Sequence, residues 1–235
     1  MCLLLEATYN PLKAGGPPLA TDDTGTPGHN KWEINLAYTR TNTIHEKNTD
    51  FSLDVNYGFG ERIQLNLVLP HNHIDQDEDG EDSHVGDIQF ATKYRFIDEK
   101  NFFCSISVTP TISLPTDRHR TKPDFFLPLE FDRNIKNLYL GSQIGYIIHQ
   151  EKEDENELFY GFFSEYPVSK KIDVLGEISG FLVNHEKARS PQFNAGLRYK
   201  LNDLLSVMGS GGTSFEGRNS DEPDFFGYIG IRFNF

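Results

Sequence analysis

Apolar residues recur at every second position in segment after segment of this chain. That two-residue period, the signature of strands with one apolar face, narrows its possible folds more than any other feature. Trp32, Ile34, Leu36 and Tyr38 alternate with Glu33, Asn35 and Thr39, and Phe51, Leu53, Val55 and Tyr57 alternate with Asp54 and Asn56. The pattern continues through residues 63–69, 88–96, 102–112, 125–131, 138–148, 158–166, 174–182 and 193–199. It is faintest around Leu205 and Val207, and a twelfth segment, 225–235, ends the chain.

The connections sort into two classes. Residues 58–61, 97–101, 133–137, 167–172 and 202–204 are short turns, whereas 42–50, 70–86, 115–124, 149–157, 183–191 and 212–223 are long. Short and long connections alternate along the chain, so all the tight turns fall at one end of an antiparallel array. An even number of strands with tight turns at one end and long loops at the other is the pattern of an outer-membrane barrel. The expected fold is all-β: a transmembrane up-and-down antiparallel β-barrel of about twelve strands over residues 31–235. Ahead of it, residues 1–30 form a leader that is either flexible or a partial plug, and MCLLLEA at 1–7 reads as the remnant of a signal sequence.

A soluble barrel alternates too, so the direction of the apolar face has to be argued. Eight strands already enclose an interior that side chains just fill, and twelve enclose one too wide for these residues to pack. Lipid solvates the apolar face from outside with no packing required. The polar set then lines the lumen: Glu33, Asp54, Lys93, Arg95, Glu130, Glu165, Glu177, Arg198, Lys200 and Arg232. These charges either face one another across an open path from opposite walls or pair and plug a narrow bore. Hydrophobic residues make up 37% of the chain and no run approaches the eighteen or so that a membrane helix needs, which excludes a helical membrane protein. Nineteen Phe and ten Tyr suit strands.

Charge excludes another class. Against 22 Lys and Arg stand 35 Asp and Glu, a net −13, which argues against a general nucleic-acid binder because phosphates need a basic footprint, and no nucleic acid is expected as a partner. Most of the excess lies in two long connections, around Asp75–Asp82 and Glu151–Glu157. Arg118, Arg120 and Lys122, in the connection between those two, are placed to fold over the mouth toward the first of them as a salt-sensitive lid.

Residues 15–36, GGPPLATDDTGTPGHNKWEINL, resemble the opening of the outer-membrane barrel family named for the meta-pathway of phenol degradation. NYGFGERIQLNLVLP at 56–70, GDIQFATKYRF at 86–96 and FNAGLRYKL at 193–201 resemble that family's strand-and-turn segments. The resemblance implies a transporter-like, porin-like barrel of a Gram-negative outer membrane that moves small aromatic or other hydrophobic compounds. It supplies no ligand residues.

The constellations for chemistry are thin. Asp75-x-Asp77-x-Asp79-Gly80 matches the first half of a calcium loop, but its twelfth position is Gly86 where a bidentate Glu belongs. A weakly bound Ca²⁺ in loop 70–86, held by Asp75, Asp77 and Asp79, is the one cofactor expectation. His71, His73 and His84 share that loop without a cysteine partner. The eight histidines fall in loops, at loop edges or before the first strand, and no Gly-x-Ser-x-Gly elbow exists, so no enzymatic reaction is expected. The expected function is a channel or transporter for small molecules, with an outer-membrane hydrolase acting on lipid and a structural or adhesion barrel as alternatives. Expected partners are outer-membrane lipid and lipopolysaccharide, a small-molecule solute, and the barrel assembly machinery reading the C-terminal Phe235. Both termini are expected in the periplasm and the long loops outside the cell.

Overall fold

The computed structural model describes residues 16–43, 46–76, 80–116, 120–151, 155–183, 190–215 and 223–235, and among these all regular structure is β. The strands are β1 Trp32–Asn42, β2 Glu46–Gly58, β3 Ile63–Gln76, β4 Gly80–Val85, β5 Ile88–Ile97, β6 Ser105–Val108, β7 Thr111–Leu114, β8 Asp124–Ile135, β9 Leu138–Ile148, β10 Glu157–Pro167, β11 Ile172–Val183, β12 Gln192–Lys200, β13 Leu205–Ser214 and β14 Phe225–Asn234. Every neighbouring pair is antiparallel. β14 pairs with β1 from Glu33↔Asn234 to Asn42↔Phe225, which closes the sheet into a barrel. The backbones of Trp32 and Phe235 exchange both hydrogen bonds at 3.1 and 2.9 Å, locking the seam at the short-turn end.

Fourteen strands make twelve staves. β4 and β5 continue one another past Gly86 and Asp87. β6 and β7 are halves of one stave interrupted at Thr109-Pro110, where proline has no N–H to give the ladder. Register survives the break, since Val108↔Leu129 and Thr111↔Phe126 lie on one continuous pairing with β8.

Three expectations change. Phe102 and Cys104 lie in the turn ahead of β6, which starts at Ser105. The connection at 42–50 shrinks because β2 starts at Glu46 and pairs with the end of β1. The acidic connection at 70–86 is largely a protruding hairpin, His71↔Val85 to Gln76↔Gly80. A seventeen-residue loop would leave a long run of backbone donors and acceptors unpaired, and extending the hairpin pairs them.

The faces fall as lipid and lumen require. Leu36, Leu65, Phe90, Leu127, Ile144, Phe162, Ile178 and Ile229 are exposed on the outside, whereas Asn35, Gln89, Ser107, Glu130, Gln143 and Glu177 are buried within. A water-soluble protein has the opposite arrangement.

Candidate transport lumen

Residues 16–27 run inside the barrel, and the wall is built to hold them. Glu177 of β11 accepts hydrogen bonds from the backbone N–H groups of Ala20 and Thr21. Gln143 of β9 accepts from Asp22 N at 3.1 Å, and Asp132 of β8 accepts from Thr24 N at 2.6 Å. Lys93 of β5 places Nζ 2.8 Å from the Asp22 carboxylate and donates to the Asp23 carbonyl at 2.6 Å. Arg95 donates to the carbonyls of Thr24 and Glu61 and pairs with Asp98, and Arg232 of β14 donates to the Pro17 carbonyl at 3.1 Å. A segment with little regular structure has its backbone groups satisfied by wall side chains, as burial demands. Two glycines mark the closest approaches. A Cβ on Gly161 of β10 would sit 2.0 Å from Thr21 Oγ1, and one on Gly58 would sit 1.8 Å from the Gly28 carbonyl oxygen.

The remaining charges pair along the wall instead of facing one another across the bore. Arg198 lies 2.7 Å from Glu165 and 3.7 Å from Asp173, Lys200 lies 2.7 Å from Asp173, and Arg232 lies 3.4 Å from Glu33. The idea of oppositely charged walls therefore gives way to local pairing, because strands β10, β11 and β12 are neighbours and place their inward charges side by side. Glu130 is fully buried, accepting from Ser107 Oγ at 2.7 Å with Gln143 Nε2 at 3.4 Å.

The barrel is filled on one side and hollow on the other. On β8–β11 the inner face carries Phe126, Ile147, Phe159 and Phe181 packed together toward the long-loop end, and Phe163 and Leu175 pack with Leu19 and Tyr139 toward the short-turn end. The sequence reading missed these inward apolar residues. Their signal is visible in retrospect: Phe125-Phe126, Ile147-Ile148, Phe162-Phe163, Val174-Leu175 and Phe181-Leu182 put apolar residues on both faces at once. Against β1–β7 lies a cavity of about 170 Å³ between the wall and residues 16–27. Its lining includes Glu33, Asp54, Lys93 and Arg232 from the predicted set, with amides from Asn56, Gln64, Asn66 and Gln89. Asp54 accepts from the side-chain amides of Asn35, Asn56 and Asn66 at 2.6–3.0 Å and has no cation within 4 Å among the described residues. Arg95, Glu130, Glu165, Glu177, Arg198 and Lys200 do not border the cavity.

At the long-loop end, Arg120 bridges Asp87 and Asp124, so the third connection does reach the base of the second. Burial pushes the Asp87 carboxyl above its ordinary value against the pull of Arg120. Lys122 turns the other way and donates to the Gln150 carbonyl, while Glu151 accepts from Thr121 N, Thr121 Oγ1 and Lys122 N. Those backbone and side-chain donors hold the Glu151 carboxyl below the usual glutamate value. Arg118, Asp77 and Asp79 lie outside the described residues, as does the side chain of Asp75, whose backbone is paired within the hairpin. Among the described residues no group of three His, Cys, Asp or Glu side chains is gathered to hold a metal.

Residues 18–235 match the family described as "Putative MetA-pathway of phenol degradation". The chain belongs to that family. Among solved structures it is similar to an outer membrane channel from Pseudomonas putida F1, with 12% identity, TM-score 0.70, and coverage of 91% of this chain and 98% of that one. It is also similar to the NanC porin, with 11% identity, TM-score 0.62, and coverage of 86% and 98%. A third likeness is to the translocator domain of the autotransporter NalP from Neisseria meningitidis, with 9% identity, TM-score 0.54, and coverage of 88% and 89%. At these identities the likenesses establish the outer-membrane barrel fold. No curated protein matches the sequence.

Proposed function

We propose that this phenol-pathway family member is a passive channel for small molecules in the bacterial outer membrane, with both termini on the periplasmic side. The observation that carries the reading is the hollow half of the lumen, a polar cavity bounded by β1–β7 on one side and by residues 16–27 on the other. An apolar cavity of about 150 Å³ accommodates one benzene ring, so a space of about 170 Å³ suits a single small ring at a time. The family's description directs attention to phenolic compounds, and a hydroxyl on such a ring finds amide partners at Asn56, Gln64 and Gln89. With Lys93 on Asp22 and Arg232 beside Glu33, Asp54 leaves the cavity acidic, which favours neutral and cationic solutes over carboxylates.

Conductance of the refolded barrel in a planar bilayer, with and without phenol, tests this. Small open steps reduced by phenol and enlarged about threefold or more by deleting residues 16–27 are expected, because the bore of a twelve-stranded barrel is wide once emptied. Silence from correctly folded protein, with that segment present and with it deleted, overturns the reading.

A further inference from the structure

Six sites make up the rim at the short-turn end: five turns and the β14/β1 seam. The turns at 59–62 and 98–104 carry mixed charge: Asp98 pairs with Arg62 at 2.7 Å and with Arg95 at 3.1 Å, and the remaining cation, Lys100, is outnumbered by Glu61 and Glu99. The arc made by the turns 133–137, 168–171 and 200–204 is different. It carries Arg133, Lys136, Lys170, Lys171 and Lys200 against one acid of its own, Asp203. Glu99 from the adjoining turn reaches its edge but is taken up by Asn134, which donates to it from backbone and side chain at 2.8 and 3.0 Å. Lys200 is held by Asp173. Lys136, Lys170 and Lys171 are exposed and have no ion pair among the described residues.

Apolar side chains are interleaved with these cations. Ile135, Val168, Leu201 and Leu204 are all exposed, and Phe103, 70% exposed, lies 4.2 Å beneath the Arg133 guanidinium. Lys136 also sits at φ 57°, a left-handed position where Gly or Asn fits more easily than lysine. Successive turns lie two strands apart, about 10 Å, close to the spacing of neighbouring lipid headgroups.

We propose that the short-turn arc from β8 to β13 docks anionic phospholipid, with Lys136, Lys170 and Lys171 on headgroup phosphates and the apolar turn residues in the interface. Charge complementarity selects the occupant. In a chain of net charge −13, whose acid lies mostly in the long connections, this arc is a local excess of unpaired cations set among apolar residues at membrane level. The proposal rests on the membrane-barrel reading but not on conduction.

The test uses Trp32→Phe/Val168→Trp barrels refolded into phosphatidylcholine vesicles that contain either brominated phosphatidylglycerol or brominated phosphatidylcholine at equal mole fraction. Folding into both vesicle types confirms the membrane reading independently of lipid preference. Stronger quenching by the anionic lipid is expected at position 168, corresponding to an association about fivefold tighter. The unmodified chain, whose single tryptophan lies in β1 at the seam and away from the turns that carry Lys136, Lys170 and Lys171, should be quenched equally by both lipids. Lys136→Gln/Lys170→Gln/Lys171→Gln, or about 0.5 M salt, should abolish the preference. Equal quenching at position 168 by the two lipids, or a preference that survives the triple substitution, overturns the proposal.

Discussion

The wall from β8 to β11 and the wall from β1 to β7 are parts of one closed sheet, yet they use their inner faces in opposite ways. The first fills its share of the lumen with Phe126, Ile147, Phe159, Phe163, Leu175 and Phe181, as a soluble core would. The second presents amides and carboxylates to a cavity. Between them runs a segment whose backbone is bonded by Glu177, Gln143 and Asp132 from the filled side and clasped by Lys93 from the hollow side. A barrel too wide for its own side chains can thus be narrowed by its own chain. The division teaches that apolar packing and hollow polar space are assigned to different walls.

If that division holds, the largest effect on stability belongs to the filled wall. Phe159→Ala should cost about 3–5 kcal/mol in urea unfolding of the lipid-embedded barrel while leaving single-channel steps near those of the parent. A large rise in conductance would mean the aromatic cluster borders the path. Next comes the clasp. Lys93→Ala leaves the Asp22 carboxylate in the lumen without its cation and removes the donor to Asp23, a loss of about 3 kcal/mol that should also raise conductance as residues 16–27 loosen. Stability lost without any change in current would show that the segment does not obstruct flow. A smaller effect belongs to the hollow wall. Asp54→Asn keeps an acceptor for the amides of Asn35, Asn56 and Asn66 but removes the charge, so reversal potentials in a salt gradient should shift toward anions by about twofold in permeability ratio with stability little altered.

The smallest effect lies outside the membrane, where the third and fourth long connections meet. The Glu151 carboxyl is held below its ordinary value of 4.5 by Thr121 and Lys122, so its ionised form favours the tie. That contribution is present above the ordinary value and is lost as pH falls through the lowered one. Hydrogen-exchange protection of the Thr121 and Lys122 amides should drop on acidification in the parent and be low and pH-independent in Glu151→Gln.

Much of this was legible in the residues. A two-residue period, with short and long connections alternating, leaves little choice of architecture. Trp32 to Tyr38 facing out and Glu33 to Thr39 facing in follows from the pleat alone. The breaks in the pattern were harder to read. Pro110 splits one stave without shifting its register, and the pairing across β6, β7 and β8 is what reveals that. Doubled apolar pairs such as Phe125-Phe126 and Phe162-Phe163 look like noise in a period of two until the sheet closes and gives the second residue an interior to fill. The acidic hairpin at 71–85 was hidden because its pairing is carried by backbone, with polar side chains on both faces.

The sequence by itself determined that this chain is a twelve-stave barrel with lipid outside and polar groups within, because alternation is local and each strand states its own two faces. Only the tertiary structure decided which charges meet and which part of the lumen stays hollow. Glu177 and Ala20 are 157 positions apart, and Arg232 and Pro17 are 215 apart. Contacts over such separations depend on closure of the sheet and on the path residues 16–27 take through it, and no local period encodes either.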